Sequence, residues 1–132
     1  MSVGILILTH SPLAGDLLRI ASDILGGRPA NAEILEVVND TPCESLVDQS
    51  LRLADHLDQG DGVLILTDVY GATPANVALT LNERHPRSRV LAGVNLPMLL
   101  RALNYAQLDL DTVVDRALEG GRNGVRLCEP HK

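Results

Sequence analysis

The stretch VGILILTHSP, residues 3–12, decides the fold of this chain. The apolar run over residues 3–8 is typical of a strand buried in a sheet. Ser11-Pro12 is typical of the start of a helix. His10 lies at the junction of the two elements. Because the N-terminus of a helix stabilises anionic groups, a histidine at this point is a candidate for chemistry on an anion.

Apolar runs alternate with helix-period segments along the rest of the chain, which is the pattern of repeated strand-helix units. The sequence therefore predicts an α/β fold with a mostly parallel open sheet. The predicted strands are residues 3–8, 33–38, 63–67, 89–94 and 124–128. The first and third are almost entirely apolar and are expected at the sheet centre, whereas Glu33 and Glu36 suit the second to an edge.

Start and stop signals bound the predicted helices. Ser11-Pro12 supplies an N-cap and a first helical residue, and Gly26-Gly27 supplies a left-handed stop. Thr41 and Glu44 fit a capping box ahead of a second helix that runs to about Asp58.

Three further helices are predicted in the second half of the chain. The third begins at Thr73-Pro74 and ends before Pro86. Asn95-Leu96-Pro97 opens a short fourth helix. Residues 110–118 repeat the helical pattern, which we expect to end at Gly120-Gly121.

The length of 132 residues suits one domain with its own core, and we expect residues 1–132 to form a single domain. The formal charge of -6 argues against a nucleic-acid or anionic-membrane surface, since either requires a basic patch. The sequence shows neither a signal peptide nor an apolar run of about 18 residues, so we expect a cytoplasmic location without membrane insertion. Cys43 and Cys128 fit no metal or redox spacing and are expected to be buried and reduced.

The candidate site is at the carboxyl ends of the strands, where ligands gather in parallel sheets. If the first and third strands are neighbours, His10 and Asp68 lie side by side. An aspartate bonded to Nδ1-H of the imidazole leaves Nε2 free to attack a phosphoryl group. Backbone N-H groups at the starts of the first and third helices then stabilise the phosphate. The predicted phosphate-stabilising residues are Ser11, Gly71, Ala72 and Thr73.

No other cluster in the sequence indicates chemistry. His56, His85 and His131 lie in a polar helix end, a turn and the C-terminal tail, and we assign them no role. No histidine pair has metal-ligand spacing, and no Gly-rich nucleotide loop is present, so we expect no metal and no cofactor.

The residues alone leave other functions open. A strand-end histidine is often only a capped polar group, and a plain binding module could hold a small anion at the helix starts without any transfer. A receiver-type switch would carry the phosphate on Asp68 itself. Such a switch needs an acidic pair after strand one and a lysine after strand five, where this chain has Thr9-His10 and Cys128-Glu129.

Four stretches resemble the IIA component of the mannose-family phosphoenolpyruvate-dependent sugar phosphotransferase system. They are ILTH at 7–10, TDVYGATPAN at 67–76, AGVNLPMLL at 92–100 and EGGRNGV at 119–125. The resemblance implies a phosphocarrier that accepts phosphate from the protein HPr on Nε2 of His10 and passes it to a IIB partner. It also implies that Asp68 orients the histidine.

The same resemblance implies a homodimer. Each subunit would have four parallel core strands in the order 2-1-3-4, and the last strand, residues 124–128, would cross antiparallel to the other subunit. Ala72-Thr73 replaces the more usual Gly-Ser of the family, which keeps a hydroxyl at the site. Tyr70 and Ala75 alter the apolar residues of the loop that a partner would meet.

Two roles fit a IIA-like chain: transport through a separate IIB, or the signalling of phosphorylation state to a regulatory target. The IIA-like subunit of a dihydroxyacetone kinase shares the fold and the amino-terminal histidine. Its loop after strand three differs from the one seen here, and it lacks the stretch GVNLP.

Overall fold

The computed structural model describes residues 2–131. Its sheet has four parallel strands in the order β2-β1-β3-β4, which confirms the predicted core and its strand order. The strands are β1 (Gly4–His10), β2 (Ala32–Val37), β3 (Val63–Thr67) and β4 (Ser88–Ala92). The helices are α1 (Leu13–Leu25), α2 (Cys43–Leu57), α3 (Thr73–Arg84), α4 (Leu96–Asn104) and α5 (Leu110–Asn123).

The helices form a layer on each face of the sheet, and each layer closes an aliphatic core. Side chains alternate across β1, so that Ile5 and Ile7 pack with α1, α4 and α5. Leu6 and Leu8 pack with α2 and α3 on the opposite face. Because both faces are covered, β1 and β3 are buried at the centre of the sheet, as the sequence predicts.

Two of the predicted helix caps are wrong. Ser11 does not cap α1: Pro12 occupies the N-cap position, and no side chain of the cap residue bonds to the helix. The Thr41-Glu44 capping box is absent as well, because Pro42 occupies the N-cap position of α2 without a side-chain bond. By contrast, Asn95 caps α4 by accepting the N-H of Met98 at 2.9 Å.

The glycine pair at 120–121 does not end α5, which continues to Asn123. These glycines are required by packing against α4. A Cβ at Gly121 would lie 2.7 Å from Cε of Met98, and one at Gly120 would collide with the side chain of Arg101. The prediction that the two glycines end α5 fails because glycine is needed at these positions for close contact with α4 and not for a reversal of the chain. Gly26 does end α1, with φ +86°.

The predicted fifth strand is not formed within the single chain. Residues 124–128 pair with no strand of the described residues and are exposed. Val125 and Leu127 are 78% and 89% exposed. Exchange of this segment between subunits stays a prediction.

Both cysteines, Cys43 and Cys128, are exposed, which corrects the expectation that they are buried. Cys43 is the first residue of α2, and Cys128 lies in the exposed segment after α5. No helix within residues 2–131 combines the length and the apolar character needed to cross a bilayer.

Candidate functional site

His10 and Asp68 meet at the carboxyl edge of the sheet. β1 and β3 are neighbours, with Leu8 opposite Thr67, so the residues that end or follow these strands are brought together. Nδ1 of His10 lies 2.8 Å from Oδ2 of Asp68. The backbone N-H of His10 donates to the same oxygen at 3.0 Å. The geometry matches the pair that the sequence predicts.

Asp68 is fixed as a carboxylate. Its other oxygen, Oδ1, accepts the N-H of Val69 at 2.9 Å. Burial raises the pKa of Asp68, but the hydrogen bonds from the backbone and ring of His10 and from Val69 outweigh it and leave the pKa below the ordinary value of 3.8. The carboxylate is therefore negatively charged at neutral pH and accepts from the histidine.

The imidazole has one oriented nitrogen and one reactive nitrogen. An ionised carboxylate can only accept, so the proton of a neutral imidazole belongs on Nδ1, and Nε2 carries the lone pair. No residue within 2–131 hydrogen-bonds to Nε2. The His10 side chain is 49% exposed and that of Asp68 only 10%. The arrangement suits a nucleophile, because Nε2 can meet an incoming group while Asp68 orients the ring through Nδ1.

The start of α3 provides donors for an anion. Ala72 is its N-cap residue and offers no side-chain cap, so the first turn keeps N-H groups that no side chain of the cap satisfies. Gly71 has φ +90°, which other residues adopt with difficulty, and it forms the turn that brings Thr73 to the surface. These are the residues that the sequence predicts beside the phosphate.

The start of α1 is less available than the sequence suggests. The N-H of Ala14 already donates to Oγ1 of Thr9 at 2.9 Å, and the N-H of Gly15 donates to Oε2 of Glu36 at 2.9 Å. The N-H of Ser11 donates to the carbonyl of Val37 at 3.1 Å. Of the predicted donors at this end, the described contacts leave the N-H of Leu13 and the exposed hydroxyl of Ser11 for an anion.

Sequence reasoning gives Thr9 no role at this site and misses Glu36. Thr9 is buried, accepts the N-H of Ala14 in α1 and donates to the carbonyl of His10 at 2.8 Å, so it holds the backbone at His10 in place. The signal for Thr9 is present in the sequence as a polar residue ending an apolar run. Nothing local marks Glu36, because its contact with Gly15 joins separate elements.

The loop after β4 supports the site without entering it. The N-H of Gly93 donates to the carbonyl of Asp68 at 2.7 Å, and the N-H of Val94 donates to that of Thr67 at 3.0 Å. These bonds hold the start of the Asp68 loop against the loop after β4. Asn95 caps α4 and donates to the carbonyl of Gly121 at 3.1 Å, which is a structural role.

Apolar side chains surround the site. They follow β2, β1 and β3 at the same edge as His10 and are Val38, Leu13, Val69 and Tyr70, whose exposures are 59%, 38%, 58% and 81%. An exposed apolar rim around a reactive group is typical of a surface that contacts another macromolecule. Within residues 2–131, no three His, Cys, Asp or Glu side chains are grouped so as to hold a metal ion.

The amino-acid sequence is similar to those of known proteins. The chain is 34% identical over 131 residues to the PTS system mannose-specific EIIAB component of Escherichia coli strain K12, a match that covers 98% of this chain and 40% of that protein. The chain thus spans about two fifths of the length of that relative. It is 24% identical over 115 residues to the PTS system fructose-specific EIIA component of Bacillus subtilis strain 168, covering 86% and 79% of the two chains.

Solved structures share the fold. The mannose/sorbose specific IIA subunit of the phosphotransferase system from Enterococcus faecalis superposes with a TM-score of 0.88 over 100% of this chain and 98% of that one, at 23% identity. The family model EIIA-man, described as the PTS system fructose IIA component, matches residues 4–118. That match covers most of the chain, including His10 and Asp68, and the chain therefore belongs to the EIIA-man family of phosphotransferase-system IIA components.

Proposed function

We propose that this chain is a phosphohistidine carrier in which His10 accepts phosphate from phospho-HPr and passes it to a IIB partner. The observation that carries the proposal is the 2.8 Å contact between Nδ1 of His10 and Oδ2 of Asp68, in a histidine whose side chain is 49% exposed and whose Nε2 has no hydrogen-bond partner within residues 2–131. A histidine that only caps a strand needs no oriented carboxylate and no open nitrogen. Membership of the family supports the same conclusion.

The transfer step follows from that geometry. The lone pair of Nε2 attacks the phosphorus of the donor's phosphohistidine, and a new P-N bond forms as the bond to the donor nitrogen breaks. The donor nitrogen keeps that electron pair. His10 becomes a phosphorylated imidazolium whose Nδ1-H stays bonded to Asp68, and the carboxylate stabilises the new positive charge.

The first turn of α3 stabilises the phosphoryl oxygens. Its N-H groups and the positive end of the helix dipole act together with the exposed hydroxyls of Thr73 and Ser11. The donors are preorganised, so they stabilise the charge without rearrangement. The donor is a phosphohistidine, and the acceptor becomes a phosphohistidine or a phosphocysteine. The site must therefore release phosphate as readily as it takes it.

The apolar rim of Val38, Leu13, Val69 and Tyr70 provides the surface on which donor and acceptor proteins dock in turn. The proposal includes a homodimer in which residues 124–128 pair with the second subunit, supported by the exposure of Val125 and Leu127. It places the chain in the cytoplasm, with its phosphate donor. The acceptor is a IIB component, or a regulatory target that reads the phosphorylation state.

The test is phosphorylation in a defined mixture. Incubation with phosphoenolpyruvate, enzyme I and HPr should add one phosphate that is labile in acid and stable in alkali. The variant His10→Gln should take up none, while His56→Gln, a change at an exposed histidine of α2, should take it up normally. Labelling that persists in His10→Gln, or a label released by hydroxylamine as an acyl phosphate, contradicts the proposal.

A further inference from the structure

The hydroxyl of Thr67 is a polar group that the transfer described above does not use. Thr67 is the last residue of β3 and is 0% exposed. Among the residues that the structure describes, its Oγ1 is the buried side-chain atom that lacks a hydrogen-bond partner. A buried hydroxyl without a partner has lost its bonds to water with no replacement, so a native protein seldom keeps one without a reason.

The side chain of Thr67 lies on the face of the sheet that packs against α3. Successive residues of a strand face opposite sides of the sheet, and Val63 and Ile65 pack with α3 while Leu64 and Leu66 pack on the other face. Thr67 therefore lies on the α3 side. It is at the carboxyl end of the strand, where α3 begins, and Pro74 and Ala75 of the first turn are buried there.

Thr9 shows what a hydroxyl does at the corresponding place of the neighbouring strand. It is buried near the end of β1, and its Oγ1 accepts the N-H of Ala14 in the first turn of the helix that follows β1. Thr67 has the same relation to α3, whose N-cap residue Ala72 provides no side-chain bond. The difference between the two is that the bond to α1 is formed and the bond to α3 is not.

We propose that Thr67 is a positioning residue for phosphoryl transfer, whose buried hydroxyl bonds to the first turn of α3 when phosphate is on His10. This rests on the proposed function. The dianion attracts the N-H groups at the start of α3, and the turn over residues 71–73 closes on it. The hydroxyl of Thr67 then gains its partner and holds that turn in place. Thr67 makes and breaks no covalent bond.

The test uses Thr67→Val, which keeps the shape of the side chain and removes its hydroxyl. We expect uptake from phospho-HPr to slow by about fivefold and hydrolysis of the phosphohistidine to quicken to a similar degree, the effect of one neutral hydrogen bond. The unphosphorylated variant should be at least as resistant to urea as the wild type, because the change removes a hydroxyl that has no partner. A purely structural role would instead lower the stability and leave both rates unchanged.

Two comparisons isolate the hydroxyl. Thr67→Ser and Thr67→Ala both lack the methyl group and differ in the hydroxyl, so the serine variant should approach wild-type rates and the alanine variant should match Thr67→Val. This pair also decides the matter if valine disturbs the core. Thr80→Val is the matched control, since the Thr80 hydroxyl bonds within α3 to the carbonyl of Asn76 at 3.1 Å.

The outcomes separate this inference from the function on which it rests. Wild-type rates in Thr67→Val, or a serine variant as slow as the alanine variant, overturn the role of Thr67 while the carrier function stands. A wild-type protein that takes up no phosphate overturns both.

Discussion

Two histidine-aspartate pairs lie at opposite edges of the same sheet. They differ in whether a nitrogen of the imidazole ring stays free of contacts. His10 meets Asp68 at the carboxyl edge with one ring nitrogen, and its side chain is 49% exposed. His85 lies at the amino edge, before β4, and is 13% exposed. Its Nε2 is 2.8 Å from Oδ2 of Asp58, and its Nδ1 is 3.4 Å from Oδ1 of Asp55.

A contact between a histidine and a carboxylate is not by itself a reactive site. Both ring nitrogens of His85 face carboxylates, so neither is open to a phosphoryl donor. Asp58 also accepts the N-H groups of Gly60 and Gly62 at 2.8 and 3.0 Å, which orders the loop before β3, and its bond with His85 ties that loop to the loop before β4. The first pair is arranged for transfer and the second for structure.

The largest expected difference between the pairs is in phosphorylation. Asp68→Asn removes the charge that orients His10, since an amide can present its NH2 group to Nδ1 and favour the wrong tautomer. We expect uptake from phospho-HPr to fall by about 100-fold, the upper end of the effect for a group that orients a reactive histidine. Asp58→Asn is the matched change at the second pair and should leave the rate unchanged. The rate is measured from the phosphate taken up in samples quenched at set times. Equal losses of rate in the two variants would show that the two pairs do not differ in phosphorylation.

The second expected difference is in stability. His85→Ala leaves the largely buried carboxylate of Asp58 without its ring partner and should lower the free energy of unfolding by about 1–3 kcal/mol. His10→Ala should change it by less than about 1 kcal/mol, because that side chain is half exposed. Urea denaturation at neutral pH measures both. A greater loss in His10→Ala than in His85→Ala would show that the structural role is assigned to the wrong pair.

Low pH affects both pairs, because the pKa values of Asp58 and Asp68 are both lowered in the folded protein. Burial raises the pKa of Asp58, but hydrogen bonds from Gly60, His85 and Gly62 bring it below 3.8. A carboxyl group with a lower pKa in the folded state binds protons more readily when unfolded. Its contribution to stability is therefore complete above the unfolded pKa and is lost as the pH falls through the folded pKa.

We expect Asp58→Asn and Asp68→Asn each to flatten the decline of stability below about pH 4. Urea midpoints from pH 6 down to pH 2 measure the slope. Asp48→Asn, a change at an exposed residue of α2, should retain the wild-type slope. If either variant declines as steeply as the wild type, the corresponding hydrogen bonds do not lower the pKa of that carboxyl in the folded protein.

The two pairs also mark what the sequence can and cannot predict. His10 and Asp68 follow strands that are recognisable by their apolar runs, and adjacent parallel strands bring their ends together, so this pair is confirmed as predicted. His85 and Asp58 lie in loops and are joined by the arrangement of α2 and α3, which no local pattern encodes. That His85 takes no part in the chemistry stays a prediction, and what the sequence does not show is its structural contact with two carboxylates.

The same distinction explains the other errors. The strand order was predictable because burial of both faces selects central strands, and the helices were predictable from their period. The capping box at Thr41-Glu44 failed because Pro42 took the cap position. Gly120-Gly121 was misread because contact between α4 and α5 requires small residues within a helix. The first of these errors is local, whereas the second arises because a contact between two helices decides the role of residues that elsewhere end a helix.

The smallest expected effect separates the two carboxylates around His85. Asp55 is 74% exposed and lies 3.4 Å from the ring, whereas Asp58 is 15% exposed and accepts three hydrogen bonds. Because exposed ion pairs are screened by water, Asp55→Asn should change the free energy of unfolding by less than about 0.5 kcal/mol. Asp58→Asn should lower it by clearly more. If the two substitutions are equally harmful in urea at pH 7, His85 depends on both carboxylates, and its stabilising role is a property of the triad and not of the buried pair.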